Sequence, residues 1–203
     1  FADLILNQNI GAEHLSYSVE PYTKILAGPA YRILRREFAN FDSSNTKLKA
    51  NTKPNILVSL GGSSGPTSLL NEVLSQAVMQ LSDSFTLKMI QGFSKVNMFE
   101  EMSHADLAIV SAGSTMWELA QLRIPFFAIA ITPEQNIYLN SIQKYDFFVN
   151  LGWYEDLTIE SIQRALLEFF HNGDQRLRVL AGFESNFPLA SSRQEILAVL
   201  NPE

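Results

Sequence analysis

Two short turns carry the residues best suited to chemistry: Gly61-Gly62-Ser63-Ser64-Gly65 and Gly113-Ser114-Thr115. Each follows an apolar run and precedes an amphipathic stretch. A strand that stops at small residues and restarts as a helix leaves backbone N–H groups free at the positive end of a helix dipole, with no side chain in front of an incoming anion. Two such corners in the same order predict one extended, phosphate-bearing ligand held across two neighbouring strand-to-helix turns. The first turn is not a Walker loop, since no Lys follows Gly65, and the Gly-x-Gly-x-x-Gly spacing is absent. A tight connection whose glycines serve only backbone conformation is the competing reading of that turn.

The second turn adds side chains. Ser114 stands where a helix N-cap belongs, and its helix is expected to turn the N–H groups of Thr115 and Met116 outward. Glu118 lies one turn further in, where a carboxylate can accept hydrogen bonds from two neighbouring ribose hydroxyls, or simply complement the helix dipole. Pro133-Glu134-Gln135-Asn136 starts a later helix and offers a third polar set, with ordinary capping as its alternative. Trp117 reads as core. His14, His104 and His171 lie far apart with no partner carboxylate and nucleophile in view. No catalytic residue, metal ligand or cofactor is therefore assigned.

The elements that must position these residues follow from composition and pattern. The 203 residues, 46% of them hydrophobic, can bury one sizeable core. Zero cysteines exclude disulfides and thiolate sites. No apolar run is long enough to span a membrane and no signal-peptide order is present, so a cytoplasmic location is expected. A net charge of −6 argues against a nucleic-acid partner. The acidic balance lies in residues 51–203, so a bound phosphate must rely on backbone amides and helix ends.

Asp3 to Leu6 reads as a strand, with no earlier strand to pair with, so the chain resembles the latter part of something longer. Residues 7–50 hold no long periodic segment beyond one or two helical turns over Tyr31 to Phe38, and Asp42 to Lys53 reads as a linker. From Asn55 the order is regular. Strands are expected at Ile56–Leu60, Thr86–Ile90, Asp106–Val110, Pro125–Ile131 and Phe147–Asn150. Helices are expected over Leu69–Leu81, Val96–Ser103, Thr115–Leu122, Glu134–Lys144, Thr158–Phe170, Asp174–Phe183 and Ser192–Leu200. Continuous apolar strands alternating with helices predict an α/β, Rossmann-like parallel sheet with helices on both faces, with ligands beyond the carboxyl ends of its strands.

The order of motifs resembles a known family. The Gly-Gly-Ser turn is followed by Asn97-Met98, Ala105-Asp106-Leu107-Ala108-Ile109, Gly113-Ser114-Thr115 with Trp117-Glu118, Pro125 and Gln135. Leu6-Asn7-Gln8-Asn9, Gly11-Ala12-Glu13, Gly28-Pro29, Tyr31, Leu34-Arg35 and Glu37-Phe38 precede them. Together these are similar to the C-terminal half of the UDP-diacetamido-trideoxy-altrose hydrolases of pseudaminic acid biosynthesis, GT-B relatives of the peptidoglycan N-acetylglucosaminyltransferase. The resemblance implies residues 1–50 as an interdomain segment closing a missing N-terminal domain, and 51–203 as the nucleotide-binding domain. It implies UDP or a UDP-sugar as ligand, with pyrophosphate at Gly61, Gly62, Gly113, Ser114 and Thr115, and Ser63 among the substrate-binding residues. Ribose would lie at Glu118, uracil near Met98, and further polar contact at Gln135. The family's catalytic Gly-x-Gly-His has no counterpart here. Ala112 and Glu134 depart from the family's usual Gly and Asn. Hydrolysis of a UDP-sugar is the expected activity of the whole protein, with a glycosyltransferase donor domain or a non-catalytic nucleotide-sugar module as alternatives.

Overall fold

Apolar segments buried from both sides need a covering layer on each face, and this requirement organises the chain. A computed structural model describes residues 2–39, 41, 53–61, 67–90, 96–187 and 196–198. Five strands, β3 (Asn55–Ser59), β4 (Thr86–Met89), β5 (Leu107–Ser111), β6 (Phe126–Ala130) and β7 (Val149–Trp153), form one sheet in the order β4-β3-β5-β6-β7. Every pairing in it is parallel. The central strands are the most apolar: residues 107–110 and 126–130 are all buried. Alternate side chains of β6 serve opposite faces, as strand geometry demands. Phe127 meets Phe169 edge-on at 5.4 Å, whereas Phe126 stacks on Phe148 and Phe183.

Helices α2 (Thr67–Met79) and α6 (Ile159–His171) pack on each other. Helices α3 (Met98–Ser103), α4 (Thr115–Leu122), α5 (Pro133–Ile142) and α7 (Gly173–Asn186) complete the cover. Local signals explain several boundaries. Asn97 caps α3, Thr132 caps α5 ahead of Pro133, and Thr158 with Ser161 forms a reciprocal capping box on α6. Helix α4 stops where Arg123 turns left-handed, with φ of 58°. Trp117 is core, as expected, with its ring among Tyr138, Phe147 and Phe187.

Two features ahead of β3 differ from expectation. The strand β1 (Leu4–Asn7) has no earlier strand to pair with, as expected, but pairs in parallel with a later one that the sequence reading missed, β2 (Lys24–Ala27), as a separate two-stranded sheet. Lys24 and Ile25 are exposed, so β2 carries no alternation that marks a strand. The helical turns expected over Tyr31 to Phe38 are split, into a 3-10 turn at Pro29–Tyr31 and α1 (Arg36–Ala39). The last strand is also displaced: Phe147 and Phe148 are buried ahead of it, and pairing with β6 begins at Val149. The linker at residues 42–52 and most of the 192–200 helix lie outside the described residues, although 196–198 are helical.

Candidate functional site

The crossing order of the sheet creates the site. From β3 the chain moves outward to β4 and then returns to the other side of β3 as β5. The connections leaving β3 and β5 therefore part in opposite directions and open a crevice at the carboxyl edge, the place where ligands bind in open α/β sheets. Gly61, just after β3, and the Gly113 corner, just after β5, lie at that edge. Ser59 pairs with Val110, and the Ser111 hydroxyl donates to the Leu60 carbonyl at 3.2 Å, so the two corners touch.

The two described corner glycines have different physical reasons. Gly61 has φ of +84°, a backbone state that side chains rarely adopt, so conformation alone accounts for it. Gly113 has no positive φ, and among the described residues a Cβ added there would meet nothing within 4 Å. Among those residues neither strain nor packing calls for glycine at 113. Gly62 and Ser63 lie outside the described residues.

The start of α4 is an amide nest. Among the described residues, nothing accepts from the N–H groups of Gly113, Ser114 and Thr115, and all three residues have exposed or half-exposed positions. Consecutive donors without acceptors at a helix N-terminus are the kind of group that suits an anion. This shifts the outward amides from the expected pair. The Met116 N–H donates to the Gly113 carbonyl at 3.1 Å and is consumed within the turn. Ser114 also differs from expectation as a cap: its φ and ψ of −58° and −25° are helical, and its hydroxyl makes no capping bond.

Glu118 is buried, and Arg35 holds it from the opposite side of the chain. The Arg35 fork donates from Nε to Oε1 at 2.6 Å and from Nη2 to Oε2 at 2.9 Å. The Glu118 carboxylate, with Glu37 nearby, holds the Arg35 guanidinium pKa above its ordinary value through hydrogen bonding and opposite charge. Sequence reasoning placed Arg35 in the interdomain stretch and missed this partner, 83 residues away. The same stretch packs closely elsewhere: Gln8 accepts from the Ile33 N–H at 2.8 Å, Arg32 donates to Gln121, and Phe38 is fully buried.

Met98 opens α3 and is half-buried against the core. Gln135 is half-buried, and its Oε1 accepts from the Ile131 N–H at 2.9 Å. Glu134 is exposed; its own backbone N–H and the Thr132 hydroxyl hold its carboxyl below the usual range. That describes a helix cap, the alternative reading of this segment. His14, His104 and His171 are all exposed. A cavity of about 350 Å³ lined by Asn55, Thr86, Lys88, Glu101 and His104 lies beside the amino-terminal halves of β3 and β4, away from the corners. No helix among the described residues is long and apolar enough to cross a membrane.

No family profile matches the chain. Among curated proteins it is 33% identical over 144 residues to the UDP-N-acetylglucosamine--N-acetylmuramyl-(pentapeptide) pyrophosphoryl-undecaprenol N-acetylglucosamine transferase of Oceanobacillus iheyensis, covering 60% of this chain and 39% of that protein. It is 28% identical over 180 residues to an uncharacterised protein of Methanocaldococcus jannaschii, covering 73% and 35%. The chain thus spans little more than a third of the curated relatives it matches. Among solved structures, MurG of Acinetobacter baumannii superposes with a TM-score of 0.63 at 16% identity, over 98% of this chain and 60% of that one. The spinosyn rhamnosyltransferase complexed with thymidine diphosphate gives 0.56 at 12% identity, over 79% and 50%. The fold is the Rossmann-like C-terminal half of a GT-B glycosyltransferase-like architecture.

Proposed function

We propose that this chain is the nucleotide-sugar-binding domain of a GT-B-type enzyme that holds UDP or a UDP-sugar and stabilises UDP as the leaving group. One observation supports this reading: among the described residues the N–H groups of 113–115 have no acceptor, and they follow β5, the strand that pairs directly with β3 ahead of Gly61. Diphosphate would lie across the two corners, ribose at Glu118 and uracil beside Met98, with Gln135 toward the sugar. Negative charge builds on the departing diphosphate as the anomeric bond breaks. Preorganised amides strengthen with that charge and need no reorganisation to do so.

In this reading residues 51–203 are the nucleotide domain, and residues 1–50 the end of an N-terminal domain. The parallel pair β1–β2 supports that division, since a parallel sheet of two four-residue strands has too little covered surface to stand alone. The partner domain would supply the group that attacks the anomeric carbon. Water as the acceptor makes the whole protein a sugar-nucleotide hydrolase, the activity that the motif order implies. A sugar hydroxyl as the acceptor makes it a transferase, the reading favoured by the Oceanobacillus iheyensis relative.

Calorimetry on this chain with UDP tests the shared premise, with an expected loss of affinity in Glu118→Ala. Absence of heat at millimolar UDP, or unchanged binding by the variant, refutes the site. Product analysis with the full-length protein separates the two chemistries: free sugar with UDP for hydrolysis, a new glycoside for transfer.

A further inference from the structure

Arg35 belongs to the segment ahead of the regular α/β order, yet its guanidinium ends on α4, one turn from the amide nest. Its head group has a second contact. The guanidinium lies 4.8 Å from the centre of the Phe38 ring, and Phe38 meets Phe99 edge-on at 5.4 Å. Phe99 is the neighbour of Met98 on α3. The Arg35 head group thus bonds the residue expected to hold ribose and rests on a ring that packs beside the helix expected to hold the base.

From this geometry we infer that Arg35 is a positioning residue for nucleoside recognition: it orients Glu118 so that the carboxylate reads ribose hydroxyls. The inference rests on the nucleotide-binding reading above. Arg35 approaches the two carboxylate oxygens with one N–H each, leaving a second lone pair on each oxygen for a vicinal diol. The fork also fixes the plane of the carboxylate, which a single-point cation does not. The charge arrangement has the same logic. A diphosphate at the start of α4 would be opposed by a lone carboxylate one turn inward, and the pair with Arg35 removes that opposition while keeping the acceptor atoms. The Glu118 side chain is only 9% exposed and that of Arg35 is 45% exposed, so the arginine forms the outer wall of the subsite.

Calorimetry on the 203-residue chain with UDP and with 2′,3′-dideoxy-UDP tests this, using the wild type, Arg35→Ala and Arg35→Lys. The wild type is expected to prefer UDP by at least about tenfold, the lower bound for a single hydrogen bond to a charged acceptor. Arg35→Ala is expected to lose that preference by weakening UDP alone, leaving dideoxy-UDP within about twofold of wild type. Arg35→Lys keeps the charge but not the fork, and is expected to fall between the two. Thermal melting of each variant shows that the fold is retained. Equal loss for both ligands overturns the inference, because a contact that merely docks the segment, or one made directly to phosphate, does not distinguish them. Tighter UDP binding by Arg35→Ala also overturns it, since Arg35 would then block Glu118. A wild type that binds UDP and dideoxy-UDP equally removes the ribose role while leaving the diphosphate grip standing. A wild type that binds neither refutes the nucleotide reading and this inference together.

Discussion

Replacing Ser114 by proline removes one donor from the amide nest while asking little of the fold. Ser114 already has φ of −58°, inside the range that the pyrrolidine ring imposes. Its N–H has no partner among the described residues, and its side chain makes no capping bond, so neither is lost to the folded state. The preceding residue is Gly113, which has the widest backbone freedom, and no described residue crowds it. Stability should therefore hold within about 1 kcal/mol, with a small gain where the proline restricts the unfolded chain. The ligand, by contrast, loses a hydrogen bond from a preorganised amide to a charged oxygen. Such bonds contribute about 1.5–3 kcal/mol, which corresponds to about a 10- to 150-fold rise in the dissociation constant for UDP. Ser114→Ala keeps the amide and is the control, with binding within about threefold of wild type if the hydroxyl adds only a modest neutral hydrogen bond. Titration calorimetry and thermal melting on the same samples read both quantities. Wild-type affinity in a folded Ser114→Pro protein refutes the proposed amide grip; a collapse in melting temperature refutes the account of this corner's backbone.

Four further outcomes follow from particular contacts. Gly113→Ala should melt like wild type and bind UDP more weakly, whereas Gly61→Ala should melt lower without ligand, by about 1–2 kcal/mol from its left-handed backbone; paired melting and calorimetry separate the two. Gly182→Ala should destabilise the protein despite alanine's better helix propensity, because the new Cβ would lie 2.5 Å from the Asp146 carbonyl oxygen; a rise in denaturation midpoint contradicts that packing. Trp117→Ala should cost about 3–5 kcal/mol in chemical denaturation, since the ring is 3% exposed and surrounded by Tyr138, Phe147 and Phe187. Glu134 and Glu160 both have carboxyl pKa values lowered in the fold by cap hydrogen bonds. Their stabilisation is present at neutral pH and lost as pH falls through the carboxylate range, so the Glu134→Gln/Glu160→Gln double variant should show a flatter melting profile between pH 3 and about 6.

What was legible in the sequence was whatever depends on near neighbours. The apolar run and turn residues around Leu107–Ser111 and Thr115–Leu122 place a buried strand and its helix to within a residue, and that local order dictates a parallel α/β sheet. Chain order also puts both glycine turns at carboxyl ends, though only the sheet order reveals that they are adjacent. The strand at Lys24–Ala27 was not legible because its reason is its partner: two of its four residues are exposed, and pairing with Leu4–Asn7 defines it. The misplacement at Phe147 has a related cause. Phe147 and Phe148 look like strand residues, but they are apolar to fill the cluster around Phe126, and pairing begins after them. At the site, Glu118 was visible from its place one turn into a helix, whereas its pairing with Arg35 depends on a long-range fold contact with no local spacing signal. That the Met116 N–H is used within the turn, unlike those of the three residues before it, likewise depends on one bond, to the Gly113 carbonyl.

A crystal structure of this chain soaked with UDP tests the central claim most directly. The account predicts diphosphate density in the β3–β5 crevice, with phosphate oxygens about 2.7–3.1 Å from the backbone nitrogens of Gly113, Ser114 and Thr115. Diphosphate held elsewhere on the sheet, or contacting only side chains while those three nitrogens face solvent, contradicts it.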